Sequence, residues 1–203
     1  MSVCGIDDAG RGSMMGPLVI AGISIQRRKL KALTSIGVRD SKQLTPASRE
    51  RLYCKIISLA DNHYIAKIHP RSIDASVRQH GLNDLEAKYM ALVSSKLDSD
   101  VSYVDSCDVN PQRFGKKISQ MSGNTIRSYH HADSRFIVVS AASILAKVTR
   151  DESIKRLAKN HNLGSGYPAD PTSVRFVKSY YSIHGSMPSF VRKSWRPILR
   201  ITG

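Results

Sequence analysis

The opening of the chain alternates apolar runs with a polar, glycine-rich break. Val3 to Asp7 and Leu18 to Ile25 read as strands joined by the turn GRGSMMGP. Thr45-Pro46 then opens a helix, with threonine as N-cap, proline at the first helical position, and Leu52, Ile56 and Leu59 as its buried stripe. Tyr64 to His69 alternates like a strand, and Leu82, Leu85, Tyr89, Leu92 and Val93 keep helical spacing. Val101 to Val104 is a short strand ending in Asp105, and Thr125 to Tyr129 reads as another. A long helix is predicted from about Ile137 to Lys159, carrying Ala141, Ile144, Leu145, Val148, Ile154 and Leu157. Val138-Val139 suits a strand equally well, which leaves the start of that helix open. GSGYPADP, from Gly164, is a loop, and a last helix runs from about Ser173 to His184 with Val177, Tyr180 and Tyr181 on one side. Early strands followed by alternating strands and helices imply a mixed α/β sheet.

Composition adds a partner. The chain has 203 residues, 31 Lys+Arg against 16 Asp+Glu, and a net charge of +15. Such a length is enough to bury a full core. The excess of positive charge favours a polyanion, nucleic acid first, over a merely solvated basic surface. After Asp170 there is no acid, yet Arg175, Lys178, Arg192, Lys193, Arg196 and Arg200 follow. No apolar run approaches the ~18 residues of a membrane helix. No signal peptide is expected, because no basic head precedes an apolar stretch. Cys4, Cys54 and Cys107 are odd in number and far apart, which fits neither a disulfide framework nor zinc and suits a reducing cytoplasm.

Two motifs fail on inspection. Gly10-x-Gly12-x-x-x-Gly16 has its third glycine one place late for a dinucleotide fingerprint, and Pro17 with a strand follows where a helix is needed. Asp105-x-x-Asp108-x-Asn110 starts like a calcium loop but has Asn110 where the turn glycine belongs and Lys116 where the closing acid belongs. More telling is where the scarce acids fall. Asp7-Asp8 closes the first strand, Asp105 the fourth, and Asp133 precedes the long helix. Turn capping or a helix dipole accounts for any one of them. All four together point to a compensating divalent cation, and hard oxygen ligands favour Mg²⁺ or Mn²⁺. Carboxylates, divalent ions and a polyanion make metal-assisted phosphodiester hydrolysis the natural chemistry.

GIDDAGRGSMMGPLVIAG, DSKQLT from Asp40, VDS from Val104 and HADSRFIVVSAASILAKVTRD from His131 resemble ribonuclease HII, the type 2 ribonuclease H family. GSGYPADPT and VRKSW are similar to its archaeal branch. The resemblance implies an α/β ribonuclease H-like domain, a mixed five-stranded sheet flanked by helices, over residues 1–165. A basic helical C-terminal extension would follow over residues 166–203. It implies an endonuclease that hydrolyses the RNA strand of RNA–DNA hybrids and nicks DNA duplexes 5′ of an embedded ribonucleotide, leaving 3′-hydroxyl and 5′-phosphate ends. Asp7, Asp8, Asp105 and Asp133 match the acidic tetrad, holding two divalent ions when substrate is bound. Gly10, Arg11 and Gly12 match the turn that reads the ribose 2′-hydroxyl through the backbone, the group that separates RNA from DNA. Tyr167 matches a tyrosine that stacks on the neighbouring sugar. Lys42 and Asn83 match phosphate contacts, with Lys147 and Arg150 as weaker matches. A monomer in the cytoplasm is expected, with no membrane association.

One position departs from the family, which reads Asp-Glu where this chain has Asp7-Asp8. The shorter arm loses roughly 1.5 Å of reach. Strand neighbours also face opposite sides. Either the strand ends at Asp8, or Asp8 contributes through its backbone carbonyl. Two other classes stay open on sequence: a basic nucleic-acid-binding module whose acids are structural, and a different nuclease of the same fold. The GRG turn argues against the second.

Overall fold

The structure, a computed structural model, describes residues 1–39 and 44–203. Its strands are β1 (Ser2–Ala9), β2 (Leu18–Gln26), β3 (Asn62–Ile68), β4 (Val101–Asp105) and β5 (Ile126–Tyr129). The helices are α1 (Leu30–Ser35), α2 (Pro46–Leu59), α3 (Pro70–Arg78), α4 (Leu82–Lys96), α5 (Pro111–Ser122), α6 (Ala132–Arg135), α7 (Ile137–Leu157), α8 (Pro171–His184) and α9 (Arg196–Thr202). One five-stranded sheet has the order β3-β2-β1-β4-β5. β1 runs parallel to β4, and β4 to β5. Residues 10–17 are too few for a parallel crossover, which takes about a dozen residues or more, so β2 returns antiparallel to β1 and the sheet is mixed.

The elements form where the sequence demands. β2 is buried from Leu18 to Ile25, as a strand covered on both faces must be. Thr45 caps α2, its hydroxyl accepting from the Ser48 amide at 3.2 Å, with Pro46 in the first turn. Gly5 on β1 makes the closest contact: a Cβ there would lie 2.3 Å from the carbonyl carbon and oxygen of Val138. Strand and helix therefore meet backbone to backbone, and only glycine fits. This seats α7 against β1 two residues before Asp7.

Several elements differ from expectation. α4 buries Glu86, Ala87, Met90, Ala91, Val93 and Ser94, whereas Leu92 stays 36% exposed. The apolar stripe was phased on large side chains, but the small ones let the helix lie close to the sheet. A Cβ on Gly22 of β2 would stand 2.5 Å from Val93 Cγ1. Val138-Val139 is helical, in the first turn of α7. α1, α3, α5 and α9 were not anticipated. α5 carried its signals all the same: Asn110 as N-cap, Pro111 next, and Gly123 closing the helix at φ 75°.

The chain divides into two compact units. The first comprises residues 1–9, 20–66 and 83–148, and the second residues 10–19, 67–82 and 149–203. In the first, Ile6, Ile20, Ile23, Ile56, Met90, Val104 and Ile144 are fully buried. The core of the second is Met14, Met15, Ile154, Leu163, Val177, Met187, Val191 and Ile198. No helix among the described residues is long and apolar enough to cross a membrane.

Candidate active site

In the first unit, parallel register brings two carboxylates level. Ile6 on β1 is the partner of Val104 on β4, and one step further on are Asp7 and Asp105. Adjacent strands are ~4.8 Å apart, so these acids share one face at close range. Asp7 is only 4% exposed. Burial first, and repulsion from Asp105 second, push its pKa up to about 7. A hydrogen bond from Ser143, the nearby charge of Lys147 and the Asp8 amide act in the opposite direction. Ser143 and Lys147 lie one turn apart on α7, and the lysine ammonium donates to the serine hydroxyl at 2.9 Å. Ser143 was missed by sequence reading. Its signal was Gly5, which allows α7 to approach.

The other acids are placed differently. β1 continues to Ala9, so the strand does not end at Asp8. Asp8 donates its backbone amide to Asp7 Oδ1 at 2.7 Å, and it is more exposed than Asp7. Asp105 Oδ1 accepts the Ala132 amide at 2.6 Å, which ties the end of β4 to the first residue of α6. Asp133 is the next residue, 3% exposed, and its carbonyl accepts from the Ser140 hydroxyl. Asn83 donates to Asp108 Oδ2 at 3.2 Å. Asp108 Oδ1 takes the Asn110 amide at 2.9 Å and the Arg113 guanidinium at 2.6 Å, a structural use consistent with rejecting a calcium loop. Lys42 lies outside the described residues.

No group of three or more Asp, Glu, His or Cys among the described residues is arranged to hold a metal ion. The feature that fits a divalent cation is the Asp7–Asp105 pair. Two like charges side by side, one of them buried, oppose each other's ionisation, and a cation between such groups removes that opposition.

The second unit holds the turn and the tyrosine. Gly10 has φ 88°, a conformation for glycine, and its carbonyl accepts the Ser13 amide at 3.2 Å. Two buried arginines brace this region. Arg150, 3% exposed, donates to Ser13 Oγ at 2.8 Å and to the Ser165 carbonyl at 2.6 Å, and stacks on the Tyr167 ring at 4.3 Å. Arg192, fully buried, donates to the Arg11 carbonyl at 2.9 Å and to the Gly16 carbonyl. Of the six bases after Asp170, Arg192 is therefore buried, whereas Arg175, Lys178, Lys193, Arg196 and Arg200 are exposed. The Tyr167 loop is fastened by Asp170, the N-cap of α8. The Ser165 amide and hydroxyl and the Thr172 amide bond its carboxylate and hold its pKa down at about 2.

A mixed five-stranded sheet flanked by helices, with carboxylates side by side on adjacent parallel strands, defines a ribonuclease H-like hydrolase. The family model described as Ribonuclease HII matches residues 4–198. The chain belongs to the ribonuclease HII family, metal-dependent endonucleases that cleave RNA in RNA–DNA hybrids and at ribonucleotides in DNA. A Ribonuclease HII from Cenarchaeum symbiosum (strain A) is 59% identical over 197 residues, spanning 97% of this chain and 96% of that protein. The ribonuclease H2 of Pyrococcus horikoshii OT3 superposes with a TM-score of 0.93 at 40% identity, covering 100% of this chain and 97% of that one. The ribonuclease HII solved in complex with PCNA from Archaeoglobus fulgidus gives 0.90 at 34%, covering 98% and 96%.

The Asp7 pair has a pH signature. Because the fold raises this pKa from 3.8 to about 7, the contribution of Asp7 to stability is full below pH 4 and is lost as pH rises through 7. In EDTA, Asp7→Asn is expected to be more stable than wild type at pH 8, with the difference much smaller at pH 5 and closing only below pH 4. Urea unfolding at the two pH values checks this, and an equal difference at both would contradict it.

Proposed function

We propose that Asp7 and Asp105 hold Mg²⁺ or Mn²⁺ for endonucleolytic hydrolysis of RNA, two ions being held when substrate is bound, with Asp133 and Asp8 completing the site. The observation that carries this reading is the level Asp7–Asp105 pair, with Asp7 buried and its pKa raised by burial and by Asp105. Bound divalent cations supply Lewis-acid stabilisation of phosphoryl charge and lower the pKa of a water. The chain's own residues do the positioning. The Ser143 hydroxyl orients the Asp7 carboxylate, and Lys147 adds positive charge beside it. The Ala132 amide fixes one oxygen of Asp105. The Gly10–Gly12 backbone reads the 2′-hydroxyl, and Tyr167, stiffened by Arg150 beneath its ring, stacks on the sugar next to the cut. Asn83 and Lys42 contact phosphate.

The exposed bases of residues 166–203 add sequence-independent attraction for the duplex, which makes affinity salt-dependent. One chain suffices for this chemistry, so the protein acts as a monomer. Cys4, Cys54 and Cys107 form no disulfide among the described residues, which suits a cytoplasmic location.

Incubating the protein with a labelled duplex bearing one ribonucleotide, with Mg²⁺, Mn²⁺ or EDTA, should give a single metal-dependent cut 5′ of the ribonucleotide. Asp7→Asn and Asp105→Asn should abolish it while duplex binding survives or improves, because less negative charge faces the phosphates. Near-normal turnover by either variant at saturating Mg²⁺ would overturn the assignment.

Asp8 sits one strand position from Asp7, so its side chain faces the other way. It acts through its carbonyl or through water. Asp8→Glu should therefore change single-turnover rates by less than ~10-fold, about 1.4 kcal/mol of barrier. A loss beyond ~100-fold in both metals, in a folded variant that binds duplex, would mean that this carboxylate ligates directly, since ~1 Å of misplacement costs about that much.

A further inference from the structure

We propose that Arg192 sets the preference of this nuclease for ribose by fixing the plane of the Arg11–Gly12 peptide. The proposal rests on the reading that the Gly10–Gly12 turn senses the 2′-hydroxyl. All its parts lie in the second unit.

A trans peptide is planar, and its C=O and N–H point in opposite directions. Arg192 Nη1 donates to the Arg11 carbonyl at 2.9 Å, which turns that oxygen toward the buried guanidinium. The amide of Gly12, at the other end of the same plane, is thereby directed away from Arg192. Gly12 is exposed, and a Cβ built on it would meet no atom within 4 Å. The held end of the peptide meets a buried guanidinium and the other end borders open space. A donor fixed in this way before substrate arrives needs no reorganisation when it bonds a sugar hydroxyl.

Arg192 is built to hold that plane rigidly. It is fully buried, and a buried guanidinium must have its donors satisfied. Nε and Nη2 both donate to the Gly16 carbonyl at 3.2 Å, so one planar fork spans the turn from Arg11 to Gly16. Its own amide donates to the Met14 carbonyl at 2.9 Å, and Trp195 lies against the guanidinium at 5.2 Å. The next two residues are clasped by Asp74, whose carboxylate accepts the Lys193 amide at 3.0 Å, the Ser194 amide at 2.9 Å and the Ser194 hydroxyl at 2.6 Å. The segment that carries Arg192 is therefore anchored on the far side of it. Lysine, with a single point charge, cannot reproduce the fork.

Arg192 is a positioning residue, and its test separates positioning from folding. For wild type, Arg192→Gln, Arg192→Lys and Gly12→Pro, three quantities are measured. They are kcat/KM on a duplex with one ribonucleotide, Kd for the all-DNA duplex of the same sequence, and melting temperature. Gly12→Pro deletes the amide and leaves Arg192 in place. Arg192→Gln should lower kcat/KM by ~100-fold, the scale of a ~1 Å misplacement, and Arg192→Lys by less. All-DNA affinity should stay within twofold and melting within a few degrees. A purely structural role would move those last two as well, and would overturn the proposal. If Arg192→Gln does not fold, Arg192→Lys decides by the same readings. Loss of kcat/KM in Gly12→Pro but in neither Arg192 variant would leave the turn reading intact and remove Arg192 from it. Unchanged kcat/KM in Gly12→Pro would overturn the turn reading itself, and the proposal with it.

Discussion

Two carboxylates that would repel each other are held abreast inside this protein, and much of the first unit serves to keep them there. Parallel pairing of β1 with β4 sets the register that brings Asp7 level with Asp105. Burial and mutual repulsion favour the protonated form of Asp7, an unfavourable state for the cation-binding role proposed for it. The neighbourhood offsets part of that. Ser143 and Lys147 arrive because Gly5 lets α7 touch the strand, and the Ala132 amide bonds Asp105 at the start of the short helix that carries Asp133. In the proposed role, local stability is exchanged for function, a common compromise at sites with perturbed carboxylates.

The second unit solves a different problem with a different device. The role proposed for it, reading a hydroxyl by backbone groups, requires a turn that is both thin and stiff. Glycine makes it thin, and by itself makes it loose. Stiffness comes from two buried guanidiniums whose donors go to carbonyls and a hydroxyl of the same unit. These arginines lie far along the chain from the turn, which explains why the C-terminal segment is integral to the fold rather than a basic tail. Its Val191 and Ile198 belong to the same core as Met14 and Met15.

Most of this fold was legible because strands and long helices announce themselves by pattern. β1, β2, β4 and α7 were anticipated nearly to the residue. The wrongly phased face of α4 has a physical cause. α4 is packed through alanines, Ser94 and Glu86, where a hydropathy stripe has little to follow. The four acids could be picked out because carboxylates are scarce in a strongly basic chain. Ser143 and Arg192 could not, because serine is common and an arginine among other bases looks like surface charge. Only contact reveals that one of six bases after Asp170 is fully buried.

The central claim, that buried Asp7 and its neighbour Asp105 form a charge conflict resolved by a divalent cation, is tested most directly by thermal unfolding at pH 8 across a Mn²⁺ titration without nucleic acid. A ligand that binds only the folded state raises stability as RT ln(1 + [L]/Kd). The melting temperature of wild type should climb steadily with Mn²⁺. Asp7→Asn should start higher in EDTA and gain little. A variant that starts below wild type, or climbs as steeply with Mn²⁺, would contradict the account.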